Sequence, residues 1–218
     1  MKLYSYWRSS ASYRVRIALN LKGLAYETLG VDLRPPASAQ HSPAYAALNP
    51  QQMVPTLIDG ETVIGQSLAI VEYLDERYPL PPLLPPGARE RARARQIAQA
   101  INADLHPLNN LRVLRYLENE LGADPAARRA WYHHWLKLGL DACERLIDER
   151  GPYALGERVG LADLCIVPQL YNARRYAFAL DAYPRLCRID AACADLEAFA
   201  ASRPELQPDA PPATVGAA

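Results

Sequence analysis

The chain is short of lysine, of cysteine and of net charge. Lysine occurs only at Lys2, Lys22 and Lys137, while lysine plus arginine total 24 and balance the 24 aspartates and glutamates, so the formal net charge is zero. A chain without excess charge argues against broad, charge-driven binding to nucleic acid or anionic membranes, leaving only a local basic patch open. Scarce lysine beside abundant arginine, alanine and proline reads as GC-rich coding bias. Cysteine occurs four times, at Cys143, Cys165, Cys187 and Cys193, all in the second half. Their spacing matches no zinc or CxxC motif, so no metal site is expected. Reduced, mostly buried thiols in a cytoplasmic protein are expected instead. No apolar run approaches the length of a membrane span. No internal repeat is found. The chain enters a strand-like run at once, so no secretory leader is expected.

What the sequence does have is 218 residues, half of them hydrophobic, enough for one large domain or two small ones with a sizeable core. Residues 2–6 alternate as a short strand, and a helix follows, with Val15, Ala18 and Leu19 at helical spacing and Gly23 at its end. Tyr26 to Val31 reads as a second strand, which makes a parallel βαβ unit. Ser42-Pro43 starts a short helix that ends near Leu48-Asn49-Pro50. Thr56 to Ile58 and Thr62 to Ile64 form a hairpin around Asp59-Gly60. Ser67 reads as the cap of a third helix that ends at Tyr78-Pro79.

After a proline-rich linker, no strand signal returns. Residues 88–120 form a long arginine-rich helical stretch, which proline should break near His106-Pro107. Further helices are expected over 125–150, 161–177 and 186–202. The proline- and alanine-rich end has no periodicity and reads as a loose tail.

The stretch Trp7-Arg8-Ser9-Ser10-Ala11-Ser12 places three small hydroxyls at a strand-to-helix turn. A helix N-terminus has unpaired N–H groups and a positive dipole end, so it can hold an anion, a thiolate included. Equally, one of these serines can simply cap the helix.

Several segments together carry a resemblance. Ser9-Ser10-x-Ser12-x-Arg14-Val15-Arg16-Ile17-Ala18-Leu19, Leu48-Asn49-Pro50, Val54-Pro55-Thr56-Leu57, Gln66-Ser67-Leu68-Ala69-Ile70 and Leu161-Ala162-Asp163-Leu164-Cys165 are similar to the zeta class of glutathione transferases. That class includes the maleylacetoacetate and maleylpyruvate isomerases. The resemblance covers about residues 2–205. It implies a glutathione transferase fold, α/β plus all-α: a thioredoxin-like β-α-β-α-β-β-α domain over 1–79, a linker over 80–87, a helical domain over 88–205 and a loose tail over 206–218. There are two departures. Ala11 stands where the class motif usually has cysteine, and Gly160 stands where serine or threonine usually caps the helix before Asp163.

The resemblance implies glutathione as cofactor and cis–trans isomerisation of a small dicarboxylate keto acid in aromatic catabolism, with no nucleic-acid or membrane partner and a homodimer as the working form. A thiolate adds to the conjugated double bond, the bond rotates, and the thiolate leaves. Ser9, with Ser10 close behind, would stabilise that thiolate. Gln66 and Ser67 would take the γ-glutamyl carboxylate, the backbone of Val54 before a cis Pro55 the cysteinyl part, and Gln40 the glycyl end. Arg14, His106 and Asn110 join the same set, although His106 also fits a structural role. Arg8, Arg112 and Arg175 would bind substrate, with Arg8 near the oxygen that gains charge. Two rivals remain: a transferase or dehalogenase that uses the same thiolate on small α-halo acids, and a non-catalytic module of the same fold.

Overall fold

The computed structural model describes residues 1–148 and 150–212. It divides into two compact units, Met1–Pro81 together with the segment from Leu196 onward, and Pro82–Asp195.

The first unit is built on four short strands: β1 (Lys2–Ser5), β2 (Glu27–Gly30), β3 (Thr56–Asp59) and β4 (Thr62–Gly65). Their order is β2-β1-β3-β4. β1 runs parallel to β2, with Leu3 opposite Thr28, and antiparallel to β3, where Leu3 faces Leu57. The Asp59-Gly60 turn closes the β3–β4 hairpin in register, Asp59 opposite Thr62. Three helices complete the expected order: α1 (Ser10–Leu21), α2 (Pro43–Leu48) and α3 (Ser67–Arg77). α1 packs against α3. Leu3, Ile17, Leu19, Leu57, Ile70 and Leu74 are fully buried and form the core of this unit. The short α2 starts as its sequence suggests: Ser42 Oγ accepts the Tyr45 N–H at 3.3 Å, and Pro43 occupies the first turn.

The second unit is helical. α4 (Ala88–Gln99) passes into a widened π-helical turn over Ala100–Leu105, and the chain breaks after the three-residue α5 (His106–Leu108). The break expected at His106-Pro107 therefore falls one turn later, at Asn109-Asn110, and α6 (Leu111–Asn119) starts afresh. Asp124 caps α7 (Pro125–Leu146) by accepting the Ala127 N–H at 2.7 Å. α8 (Leu161–Arg175) is buried along almost its whole length and packs on α4 and on α9 (Pro184–Ala194). The single last helix expected over 186–202 is two: α9 ends before Asp195, and α10 (Glu197–Ala201) belongs to the first unit, packed on α1.

Two boundaries differ from the sequence reading. Within the proline-rich linker, Leu83 and Leu84 are 3% and 5% exposed and belong to the second unit. The segment after α10 makes defined contacts up to Asp209 where a loose tail was expected. The tail beyond Pro212 lies outside the described residues.

Gly160, the departure at the cap of α8, has a steric reason. A Cβ there would stand 2.7 Å from the Leu83 carbonyl oxygen, which accepts the Leu161 N–H at 2.9 Å. The carbonyl takes over an orphan helix donor and leaves no room for a serine. The other half of the cap is intact: Asp163 Oδ2 accepts the Gly160 N–H at 2.8 Å, and Oδ1 accepts the Ala154 N–H at 2.8 Å.

Candidate active site

Ser9 is the cap of α1. Its backbone is extended, and its Oγ accepts the Ser12 N–H at 3.2 Å. The hydroxyl proton is not used in that bond, so it can be donated to an anion at the positive end of a twelve-residue helix. Ser9 is half-buried, whereas Ser10 is only 5% exposed. Of the two serines, Ser9 is the more exposed, and its cap bond leaves its hydroxyl proton available. The turn before it is closed by the Ser9 N–H on the Tyr6 carbonyl at 2.9 Å. Arg8, inside that turn, is half-buried, with its guanidinium carbon 5.2 Å over the Trp7 ring.

Arg14 is placed differently from its expected role. It is fully buried, and its Nη1 donates to Ser67 Oγ at 3.2 Å, so it reaches any ligand through Ser67. Ser67 is the first residue of α3, and Gln66, not Ser67, holds the cap position. Gln66 sits at φ 66°, a conformation costly for a residue with a side chain, and its Nε2 donates to Gln51 Oε1 at 2.8 Å. Gln66 is exposed and Ser67 buried at the N-terminal end of α3, where backbone N–H groups without helical partners could hold an anion. The Val54–Pro55 bond is cis, just before β3. Gln40 is buried in the Ala39–His41 turn, and its Oε1 has no hydrogen-bond partner among the described residues.

The remaining predicted residues lie in the second unit. His106 opens α5, and Asn110 caps α6, its Oδ1 accepting the Arg112 N–H at 3.1 Å. The Arg112 side chain is exposed. Arg175 is exposed at the end of α8 but held in place: its Nη1 donates to Asn172 Oδ1 at 2.9 Å, and its guanidinium carbon lies 5.2 Å over the Tyr176 ring. Tyr176 in turn stacks on the buried Tyr132 at 3.6 Å between ring centres.

The protein's own thiols are unsuited to nucleophilic work. Burial pushes Cys143 up to about 12 and also raises Cys187 and Cys193, and Cys165 is buried. A borrowed thiol is better suited to thiolate chemistry here than any of these. The donor set of the first unit fits glutathione. It offers a hydroxyl at one helix N-terminus for sulfur, a second helix N-terminus for a carboxylate, and an unanswered buried acceptor at Gln40 for an amide N–H.

Sequence reasoning missed two residues that hold this turn, Arg16 and Asp209. Arg16 is fully buried and donates to the Trp7 carbonyl at 3.0 Å, to Ser5 Oγ at 3.2 Å and to the Ser202 carbonyl at 3.2 Å. Asp209 accepts the Trp7 N–H at 2.8 Å. Arg16 lay within the recognised motif, but nothing in its spacing marks it as buried. Asp209 stands among prolines with no periodic signal at all.

Comparison with known proteins agrees with the geometry. Residues 3–82 match the glutathione S-transferase N-terminal domain. The chain is 49% identical over 214 residues to a maleylacetoacetate isomerase of Pseudomonas aeruginosa, covering 98% of this chain and 100% of that one. A holo structure of a maleylpyruvate isomerase, described as a bacterial zeta-class glutathione S-transferase, superposes with a TM-score of 0.93 at 47% identity, covering 97% and 100% of the two chains. A maleylacetoacetate isomerase of Anaeromyxobacter dehalogenans 2CP-1, with dicarboxyethyl glutathione and citrate in its active site, gives 0.83 at 43% identity over 97% and 94%. The fold is thus a thioredoxin-like domain followed by a helical one, and the chain belongs to the zeta class of glutathione transferases, the family of the maleylacetoacetate and maleylpyruvate isomerases.

Proposed function

We infer that this chain is a glutathione-dependent cis–trans isomerase that converts maleylacetoacetate or maleylpyruvate to its fumaryl isomer. Ser9 carries the reading, as a half-buried hydroxyl at the N-terminus of α1 with its proton free to donate. Bound glutathione supplies a thiol that adds reversibly to the conjugated double bond and gives it single-bond character while it rotates. A free thiol has a pKa near 8.5, and lowering it by two units takes about 2.7 kcal/mol. A helix N-terminus contributes about 0.3–2 kcal/mol. A hydrogen bond to a charged acceptor adds about 1.5–3 kcal/mol. The two together reach what is needed.

Around that sulfur, Gln66 and Ser67 hold the γ-glutamyl carboxylate, and the Val54 backbone pairs with the cysteinyl part. Gln40 meets the glycyl end. Arg14 acts through Ser67, with His106 and Asn110 as further glutathione contacts. Arg8 faces the carbonyl oxygen that gains negative charge when sulfur adds, and Arg112 and Arg175 bind substrate carboxylates. The relative from Anaeromyxobacter supports this chemistry, because it holds dicarboxyethyl glutathione, a glutathione carrying a dicarboxylate group, in its active site. Nearly equal identity to a maleylacetoacetate and a maleylpyruvate isomerase leaves the choice of keto acid to experiment. A homodimer in a cytoplasmic setting is part of the same proposal. In support, none of the four cysteines is in a disulfide, and no helix among the described residues is long and apolar enough to cross a membrane.

The test is absorbance-followed isomerisation of both keto acids, with and without glutathione. Glutathione-dependent turnover is expected, lost in a Ser9→Ala, Ser10→Ala double variant, and the ratio of kcat/KM names the substrate. Turnover without glutathione would overturn the mechanism. Glutathione binding without turnover of either acid would assign the thiolate to displacement on α-halo acids instead.

A further inference from the structure

We propose that Asp209, from the end of the chain, is a positioning residue for the turn that carries Ser9. The proposal rests on Ser9 as the sulfur donor, and it extends the active site to a segment that touches no part of it in sequence.

The turn from Tyr6 to Ser9 links β1 to α1, and its peptides are tied from both sides. The Trp7 N–H donates to Asp209 Oδ2 at 2.8 Å, across 202 positions of chain. The Trp7 carbonyl accepts Arg16 Nη2 at 3.0 Å. Arg16 is in turn fixed to the Ser202 carbonyl at 3.2 Å, just after α10, and Asn20 Nδ2 donates to Ser202 Oγ at 2.8 Å. The terminal segment therefore holds Trp7 twice, directly through Asp209 and indirectly through Ser202 and Arg16.

The segment is itself braced. Gln207 Nε2 donates to the carbonyls of Ala201 and Arg203 at 3.2 and 2.9 Å, which folds the chain back toward β2. There Asp209 packs so closely on Gly30 that a Cβ on Gly30 would stand 3.1 Å from Asp209 Cβ. Asp209 Oδ1 is buried without a hydrogen-bond partner among the described residues. Burying half of a carboxylate unsatisfied is costly. A residue needed only to fill a surface would not be held this way. What Asp209 secures is one backbone donor, and with it the path of the peptides that place Arg8 and Ser9.

Small displacements at a reacting centre are expensive: about 1 Å can cost a hundredfold in rate. A loosened Trp7 peptide should therefore show in the chemistry before it shows in cofactor binding, which Gln66, Ser67 and Val54 serve from other elements. Asp209→Ala removes the acceptor. Asp209→Asn keeps a carbonyl oxygen for the Trp7 N–H and removes only the charge. Gly30→Val leaves Asp209 in place in the sequence but pushes its side chain away.

The readouts are the pH dependence of the thiolate absorbance of bound glutathione, kcat for isomerisation, and KM for glutathione. For Asp209→Ala we expect the bound thiol to titrate about one unit higher and kcat to fall about tenfold, with KM changed less than about threefold. Asp209→Asn should recover most of this, and Gly30→Val should move in the same direction as Asp209→Ala. If Asp209→Ala does not fold, Gly30→Val carries the same comparison. An unchanged thiol titration and kcat in Asp209→Ala or Gly30→Val overturns the proposal, as does Asp209→Asn being as impaired as Asp209→Ala. Ser9→Ala run alongside separates the two levels. If it leaves the bound thiol's titration unmoved, the reading of Ser9 fails. If it moves the titration and Asp209→Ala does not, only the positioning role fails.

Discussion

Arg14 and Ser67, 53 positions apart, are joined by a hydrogen bond from a fully buried guanidinium to a hydroxyl at the first residue of α3. The bond ties α1, whose N-terminus is proposed to serve sulfur, to α3, whose N-terminus is proposed to serve a carboxylate, and it orients the Ser67 hydroxyl. Arg14→Met keeps much of the apolar stem and removes the donors. Loss of a charged donor to a hydroxyl is worth about 1.5 kcal/mol, or roughly tenfold in a binding constant. Calorimetric titration should therefore show glutathione affinity reduced about tenfold in Arg14→Met. Unchanged affinity would mean that Ser67 needs no such orientation.

Ser9 and Ser10 should separate cleanly. Ser9 has both functions, capping α1 through the Ser12 N–H and presenting its proton outward, while Ser10 is buried within the first turn. Ser9→Ala should cost about 1 kcal/mol of stability as a lost cap. It should also lower kcat by about a hundredfold, in the range of a removed oxyanion donor. Ser10→Ala should cost under about tenfold in kcat, since its hydroxyl is not the outward donor. Thermal unfolding and single-turnover kinetics on the two variants check both parts, and equal losses would return the sulfur contact to Ser10.

Gln66 presents a trade between stability and binding. At φ 66° its backbone stores about 1–3 kcal/mol of strain, which glycine would not feel. Gln66→Gly should therefore be about 1 kcal/mol more stable, after allowing for glycine's extra freedom in the unfolded chain. It should also bind glutathione more weakly, because the side chain proposed to meet the γ-glutamyl group is gone. Urea midpoints and glutathione titration read the two effects separately. A variant that is both less stable and equally able to bind glutathione would show that the strained residue serves the fold rather than the ligand.

Much of this architecture was written in local signals. The βαβ unit showed in two alternating runs around a helical one, the hairpin in Asp59-Gly60, and a helix start in Ser42-Pro43, all of which the structure forms. These features depend on neighbours within a few residues, so periodicity and capping chemistry reveal them. What stayed hidden depends on distant partners. Arg14 and Arg16 read as ordinary helix arginines, yet both are buried, Arg14 donating to Ser67 and Arg16 to Ser5, Trp7 and Ser202. The break between α9 and α10 has neither glycine nor proline at Asp195-Leu196 to announce it. Gly160 was visible as a departure, but the Leu83 carbonyl that requires it lies 77 positions away, and no local pattern encodes that approach.

Asp163 sets a pH dependence that can be measured. Its two oxygens accept the Ala154 and Gly160 N–H groups, which favours the carboxylate, but burial is the larger effect and raises the group from 3.8 to about 6. The unfolded chain thus releases this proton near 3.8 and the folded chain near 6, so between the two the folded state binds more protons. By linkage, the stability tied to Asp163 is fully present below about pH 4 and is lost as pH rises through about 6, by up to about 3 kcal/mol. Asp163→Asn keeps one acceptor but sets an amide N–H against a backbone N–H, so it should be destabilised by about 1–3 kcal/mol under acidic conditions. Because asparagine does not titrate, the advantage of the natural chain over Asp163→Asn should shrink between about pH 4 and pH 7. Urea unfolding of both chains at the two pH values measures this difference directly, with the other carboxylates cancelling in the comparison. A constant difference would mean that the two N–H donors outweigh burial and hold Asp163 ionised throughout.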